Sequence, residues 1–163
     1  MKYLLTLLPL LFLGCYMPNQ STELRVSYDF NEDELNQIIK AAEQWEDKTN
    51  NGIKFTIKRD NKDPNVIKGY VPDVYLAVCR SVGSDLLIIV GPKVTLKNKA
   101  KFRGTIAHEL GHFIGIQEHT SPEECEVYPQ LMCAYVVTNE VTHRDAERAC
   151  NESDVREERC VPK

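Results

Sequence analysis

The chain has 163 residues and lacks the features that would place it in several broad classes of protein. Its apolar run near the start, Leu4–Leu13, is far shorter than the ~20 residues that a helix needs to cross a bilayer. No long basic run is present, and 20 basic against 24 acidic residues give no indication of nucleic-acid binding. The six cysteines contain no Cys-x2-Cys spacing, which argues against a zinc site made of thiolates. No internal repeat is visible.

The first residues are arranged like an export signal. One Lys precedes the short apolar run and Gly14-Cys15 follows it, an order that is typical of a secretory signal peptide. No small-x-small cleavage site follows, and the stretch LFLGC resembles a bacterial lipobox, in which the cysteine carries a lipid. We therefore expect residues 1–14 to be a signal peptide and Cys15 to anchor the protein to a membrane of the cell envelope. A secreted protein with a plain signal is the alternative.

The rest of the chain has the size of one domain with a single core. Residues 15–23 are expected to form a tether, and residues 24–163 the domain. Fewer than a dozen residues separate Cys15 from the first predicted strand, so we expect no N-terminal segment that holds the protein latent. An exported protein uses its cysteines in disulfides. Proximity favours Cys125–Cys133 and Cys150–Cys160 with Cys79 left over, although other pairings stay open.

Apolar periodicity and capping signals predict both helices and strands. The predicted strands are Leu24–Tyr28, Ile53–Ile57, Val74–Val78 and Leu86–Val90, and the predicted helices run from the N-cap Asn31 to a stop at Asn50-Asn51-Gly52, from Lys99 to Ile114, and from Thr142 towards Cys150. Residues 120–139 are expected to be irregular. The acidic and amide groups of Asp60–Asn65 match no calcium loop, so a solvated turn is favoured and a calcium ion, although possible, is without support.

A pair of histidines in the second predicted helix has the spacing of a zinc site. His108 and His112 are four residues apart, so both imidazoles project from one face of the helix, one turn apart. Glu109 lies next to His108 around the helix and could take a proton from a water that zinc activates. Three of the four histidines of the chain fall within twelve residues. Gly115 is a fitting helix stop, because glycine accepts the left-handed conformation that turns the chain back.

These residues resemble those of the metzincin metallopeptidases, in particular the matrixin-like catalytic domains. His108, Glu109, His112 and Gly115 match the family motif His-Glu-x-x-His-x-x-Gly-x-x-His, and Leu131-Met132 loosely matches its methionine-containing turn. NEDELNQIIKAAEQWEDKTNNGIKF is similar to the first helix and following strand of the family, and VTHRDAERA to the start of its C-terminal helix. The resemblance covers most of residues 24–150 in the order of the family.

The third zinc ligand is where the chain departs from the family motif. The motif places it at Glu118, whereas His119 comes one residue later. We favour His119, because imidazole suits zinc without added negative charge and a turn absorbs one extra residue readily; Glu118 as a carboxylate ligand is the alternative. Tyr135 is expected to be a packing or pocket-wall residue, and His143 to be exposed and without a role in the site.

The resemblance implies a fold and an activity. The expected fold is α/β of the α+β type: a twisted mixed sheet of about five strands, an N-terminal helix, an active-site helix and a C-terminal helix below a cleft. The expected activity is that of a zinc metalloendopeptidase, a monomer that cleaves extracytoplasmic proteins, with Glu109 as general base and His108, His112 and His119 as ligands of one Zn²⁺. A peptide substrate is expected along an edge strand near Asp85–Val90. A surface lipoprotein that binds zinc and captures a protein without cutting it is the alternative.

Overall fold

A computed structural model describes residues 22–83, 85–133, 138–153 and 160–163. The expected signal peptide and the expected lipid on Cys15 lie outside the described residues, and so does Tyr135. Within the described part of the chain, no helix is both long and apolar enough to span a membrane.

The described residues form five strands and four α-helices. The strands are β1 (Glu23–Val26), β2 (Thr56–Arg59), β3 (Val66–Lys68), β4 (Ala77–Val82) and β5 (Asp85–Val90), and the helices are α1 (Glu32–Lys48), α2 (Lys99–Phe113), α3 (Pro122–Val127) and α4 (His143–Glu152). One 3₁₀ turn, Leu96–Asn98, leads into α2. The prediction of a mixed sheet of about five strands, together with helices from the start, middle and end of the domain, is confirmed.

The strands form one sheet in the order β2-β1-β3-β5-β4. Neighbours from β2 to β5 run parallel, and β4 pairs antiparallel with β5. The prediction of an edge strand near Asp85–Val90 is wrong, because β5 lies between β3 and β4. The continuous apolar run of β5 belongs to a strand with a neighbour on each side. β4 forms the edge of the sheet, and its last three residues are exposed.

The core lies between the sheet and the helices α1 and α2, which pack against each other. Trp45 of α1 is completely buried, and its indole Nε1 donates a hydrogen bond of 2.8 Å to the carbonyl of Ala107 in α2. Other large side chains that are fully buried are Leu24, Phe30, Ile38, Ile53, Ile88, Phe102, Ile106 and Leu110. The contact at Ala107 ties α1 to the turn of α2 that carries His108.

Local capping signals correctly predicted where two helices begin. Asn31 and Glu34 form a reciprocal capping box at the start of α1, and Thr142 and Asp145 form one at the start of α4. After α1 the chain turns through Asn50 and Asn51, whose φ values of 52° and 60° are positive. Asparagine tolerates this conformation better than most residues, which explains why the helix stops there.

Other boundaries differ from the predicted ones. Ile53 is completely buried but precedes β2, which begins only at Thr56. The strand predicted at Val74–Val78 begins at Ala77 and continues to Val82. Two short elements, β3 and α3, were not predicted at all. Helix α3 lies inside the segment that was expected to be irregular, although Ser121 as N-cap and Pro122 in the first turn are ordinary start signals.

Two disulfides close the C-terminal part of the described chain. They join Cys125 to Cys133 and Cys150 to Cys160, as predicted, and Cys79 belongs to neither. Gly52 leaves room for the second bridge, because a Cβ at this position would lie 2.6 Å from Cβ of Cys160. Two disulfides indicate that the protein works in an oxidising, extracytoplasmic compartment.

A glycine in α2 gives a test of the packing beneath the paired histidines. A Cβ on Gly111 would overlap Sδ of Met132 and come within 3.0 Å of Cζ2 of Trp45. On an exposed helix, Gly→Ala stabilises by about 1 kcal/mol. Here we expect Gly111→Ala to destabilise by about 1–3 kcal/mol through overpacking, measured by urea denaturation.

The control for this test is Met132→Ala, which removes the overlapping side chain. In the double variant, the loss should be smaller than the sum of the two single losses. A stabilised Gly111→Ala protein, or strict additivity, would contradict the packing described here.

Candidate metal site

The last two turns of α2 place His108 and His112 on one side of the helix. His108 is buried, His112 is partly buried, and their ring centroids lie 5.0 Å apart. Most residues of the surrounding helix are buried, and His108 is itself only 5% exposed. Imidazoles in such a position need polar partners, because burial of an unsatisfied polar group is costly.

The end of α2 turns the chain back towards these rings. The N–H of Gly115 donates to the carbonyl of His112 at 3.1 Å, and the N–H of Ile116 donates to that of Gly111 at 3.0 Å. This pair of bonds is a Schellman motif, which requires a left-handed residue after the helix. Gly115 has a φ of 108° and fills that role. The expectation that Gly115 stops the helix is confirmed.

The turn brings His119 to the other two histidines. Nε2 of His119 lies 3.1 Å from Nε2 of His108 and 3.1 Å from Nε2 of His112. One nitrogen from each of the three rings falls within 4.8 Å of the others, a grouping that could hold a metal ion. Glu118 is exposed and is not part of this group. Among the described residues, the geometry therefore assembles the set with His119 rather than the set with Glu118.

Two backbone carbonyls determine which ring nitrogens carry hydrogen. Nδ1 of His108 lies 2.7 Å from the carbonyl oxygen of Leu131, and Nδ1 of His112 lies 2.7 Å from that of Ile116. A carbonyl oxygen only accepts, so both Nδ1 atoms must donate. In the neutral rings the lone pairs are then on Nε2, the atoms that face His119.

This arrangement fits a cation better than it fits a hydrogen-bond network. A hydrogen on Nε2 of His119 can satisfy only one of the two lone pairs that face it. A zinc ion bound by imidazoles at ~2.0–2.1 Å in a tetrahedral site separates the nitrogens by about 3.3 Å, close to the two spacings of 3.1 Å. The donor set therefore matches a metal of the kind that prefers imidazole.

A buried carboxylate of α4 holds the segment below the site. Asp145 is completely buried, and its two oxygens accept hydrogen bonds from the backbone N–H groups of Leu131 at 2.9 Å and Met132 at 3.0 Å. The carbonyl of the same Leu131 accepts from His108. Partners of this kind orient a metal ligand and set its tautomer. The capping pattern identified Asp145 only as a helix-start residue, so this second role was missed.

The strand-like pairing next to His119 holds the third histidine against the same segment. The N–H of Thr120 donates to the carbonyl of Met132 at 2.8 Å, and Thr120 and Cys133 form an isolated parallel bridge. The disulfide from Cys133 to Cys125 closes the loop between them. The methionine predicted from the turn motif, Met132, is completely buried and packs below Gly111.

Burial keeps the histidines neutral. Desolvation lowers the pKa of His108 to about 4 and that of His112 to about 3, although the carbonyl of Leu131 and the carbonyl of Ile116 each act in the opposite direction. The pKa of His119 is also lowered, first by burial and then by the positive charge of Arg148. Metal ligands must be deprotonated, so near neutral pH the two rings of α2 are ready to bind.

The remaining predicted residues differ in where they lie relative to the three histidines. Glu109 is buried next to His108 on α2. His143 is exposed at the start of α4, where its Nε2 lies 3.3 Å from a carboxylate oxygen of Glu147, so the expectation of an exposed residue is confirmed. At Asp60–Asn65, Asp60 accepts from the N–H groups of Lys62 and Asp63, which is the local bonding of a turn.

Comparison with known proteins adds no assignment to this geometry. The chain matches no model of a protein family, and no curated protein is significantly similar to it. The chemistry of the site is therefore the basis for its function.

Asp145→Asn tests the support of the metal site from below. The amide would place a donor where a carboxylate oxygen accepts from backbone N–H groups, and the carbonyl that holds His108 would shift. With Zn²⁺ as the probe of the candidate site, we expect the affinity to fall about tenfold, as for other residues behind metal ligands. Competition with a chelating dye measures it. Glu147→Gln, on the exposed side of the same helix, should bind like wild type; equal affinities for all three proteins would refute the role of Asp145.

The lowered pKa values predict how the stability of the metal-free protein depends on pH. The unfolded chain binds protons at histidine near the ordinary pKa of 6.5, whereas folded His108 and His112 bind them only near 4 and 3. Between these values the unfolded state holds more protons, so stability is full above about pH 6.5 and falls as the pH is lowered. Each group contributes up to about 1.4 kcal/mol per pH unit.

Urea denaturation in the presence of a chelator measures this slope. His112→Gln should show a shallower loss between about pH 6.5 and 4 than wild type, because one titrating group is removed. Gln117→Ala, at an exposed position without a titrating group, should keep the wild-type slope. Parallel profiles for wild type and His112→Gln would contradict the prediction.

Proposed function

We propose that the protein is a zinc-dependent endopeptidase that cleaves extracytoplasmic proteins, and that it belongs to the metzincin class which its motif resembles. The observation that supports this most strongly is the convergence of three Nε2 atoms on one point, with Glu109 one residue from the first of them. Three protein ligands leave a fourth position open, which is the pattern of catalytic rather than structural zinc sites.

Each residue has a defined task in this proposal. His108, His112 and His119 bind the metal through Nε2, and their neutral state avoids the need to displace protons near pH 7. A bound zinc ion supplies a Lewis acid that polarises a peptide carbonyl and lowers the pKa of water. Glu109 accepts the proton of the attacking water and passes it to the leaving amine, a task that requires a carboxylate within reach of the reacting atoms.

The edge of the sheet supports the binding of an extended peptide. β4 is the edge strand on the side of α2, against which it packs, and one side of it is paired with β5. An exposed edge accepts a further strand through backbone hydrogen bonds. We therefore transfer the expected substrate position from Asp85–Val90 to Ala77–Val82, where the peptide would lie next to the helix that carries the histidines.

The location of the enzyme follows the export signal and the disulfides. Two disulfides support work outside the cytosol. The LFLGC stretch supports attachment to a membrane through a lipid on Cys15, which brings the enzyme close to envelope and surface proteins. Mass spectrometry of the mature N-terminus distinguishes a lipidated Cys15 from a free secreted chain.

Cleavage of a peptide library tests the proposed activity. We expect one equivalent of zinc in the wild-type protein, and a loss of about 10²–10⁴-fold in cleavage rate for Glu109→Gln, which keeps the shape but cannot accept the proton. His119→Ala should lose zinc, whereas Glu118→Ala, the matched neighbour, should keep both zinc and activity.

Each alternative has its own outcome in this experiment. Zinc at one equivalent without cleavage by wild type would favour a capturing lipoprotein. Cleavage that survives Glu109→Gln would exclude the proposed base, and loss of zinc in Glu118→Ala but not in His119→Ala would reverse the ligand assignment.

A further inference from the structure

Arg148 of α4 contacts the segment that carries the third histidine. This segment, residues Glu118–Thr120, is called here the His119 segment. Nη2 of Arg148 donates to the carbonyl of Glu118 at 2.9 Å, and Nη1 donates to Oγ1 of Thr120 at 3.3 Å. One guanidinium therefore contacts the residue before His119 and the residue after it.

The arginine is itself held in place. Its Nε and Nη2 donate to the two carboxylate oxygens of Glu152, one turn further along α4, at 2.9 and 3.3 Å. Its side chain is only 23% exposed, so most of it is shielded from solvent. The planar guanidinium offers donors in a fixed geometry that a lysine ammonium does not reproduce.

The His119 segment is contacted from two sides. His119 is exposed, and it lies after the Schellman turn, outside the regular hydrogen bonding of α2. Its neighbour Thr120 bonds to the Met132 carbonyl on one side, while Thr120 Oγ1 donates to Oε1 of Gln130 at 3.3 Å. Arg148 contacts the segment from α4, the helix whose Asp145 holds the Leu131 and Met132 amides.

We propose that Arg148 is a positioning residue that holds His119 at ligating distance from His108 and His112. This inference rests on the proposed metal site. Two residues of helix α4 then support the site. Asp145 holds the segment whose carbonyl orients His108, and Arg148, one turn later, holds the segment that carries His119. The distance between the two supports is set by the rise of a single helix.

The sign of the change in metal affinity separates this role from simple electrostatics. Arg148 is a positive charge near the site, so its removal would strengthen the binding of a cation if charge alone mattered. A positioning role requires the opposite result. We expect Arg148→Ala to weaken zinc binding about tenfold, within the range found for residues behind metal ligands.

Three further variants complete the comparison. Arg148→Lys keeps the charge and the aliphatic stem without the fork, so it should bind zinc nearly as weakly as Arg148→Ala, and it serves if the alanine protein does not fold. Arg144→Ala lies one turn earlier on α4 and removes contacts to Glu124 and Tyr128 instead. It should bind zinc like wild type. His119→Ala, which should lose zinc, sets the lower limit of affinity, and both Arg148 variants should bind zinc more weakly than wild type but more tightly than His119→Ala.

Amide hydrogen exchange in the metal-free protein gives a second readout. The N–H of Thr120 should exchange faster in Arg148→Ala and Arg148→Lys than in wild type and Arg144→Ala, because the His119 segment loses a support. Equal or tighter zinc binding with unchanged Thr120 exchange would overturn the proposal. If the wild-type protein binds no zinc, the proposed function is overturned, and the exchange rates alone decide whether Arg148 holds the segment.

Discussion

Nδ1 of His108 and Nδ1 of His112 each donate a hydrogen bond of 2.7 Å to a backbone carbonyl. With the hydrogens there, the lone pairs of both neutral rings are on Nε2, where the third imidazole meets them. At the end of α2, the left-handed conformation of Gly115 turns the chain back. The carbonyl oxygen of Ile116 then lies within hydrogen-bonding distance of Nδ1 of His112. Three neutral nitrogens brought together in this way could hold a cation of the kind that prefers imidazole.

The rest of the C-terminal half maintains the geometry of these carbonyls. Asp145 holds the amides beside the Leu131 carbonyl, and the pairing of Thr120 with Met132 joins the segments before and after α3. The disulfide Cys125–Cys133 closes the same loop covalently. This covalent closure requires an oxidising compartment, which is the kind of compartment that the cysteines indicate. The sheet contributes differently: it packs against α2, and β4 forms one of its edges.

Much of this architecture was predictable where the signal is local. Capping boxes, the spacing of the two histidines and the glycine stop depend on residues within one or two turns. The paired cysteines are 8 and 10 residues apart in the chain, which is also a local signal. The position of His119 depends on the pairing of Thr120 with Met132, twelve residues further along the chain. From the sequence, His119 was favoured over Glu118 only through ligand chemistry and the tolerance of a turn for one extra residue. β3 has three residues and exists because β1 and β5 pair with it, not because of its own pattern. The supporting roles of Asp145 and Arg148 depend likewise on distant backbone groups.

Anomalous diffraction at the zinc absorption edge, from crystals grown with one equivalent of the metal, would show whether the three histidines bind the ion. We expect a single strong peak, bound by Nε2 of His108, His112 and His119 at ~2.0–2.1 Å, with the Nδ1 bonds to the two carbonyls intact. A peak bound by the carboxylate of Glu118, or the absence of a peak between the three rings, would contradict it.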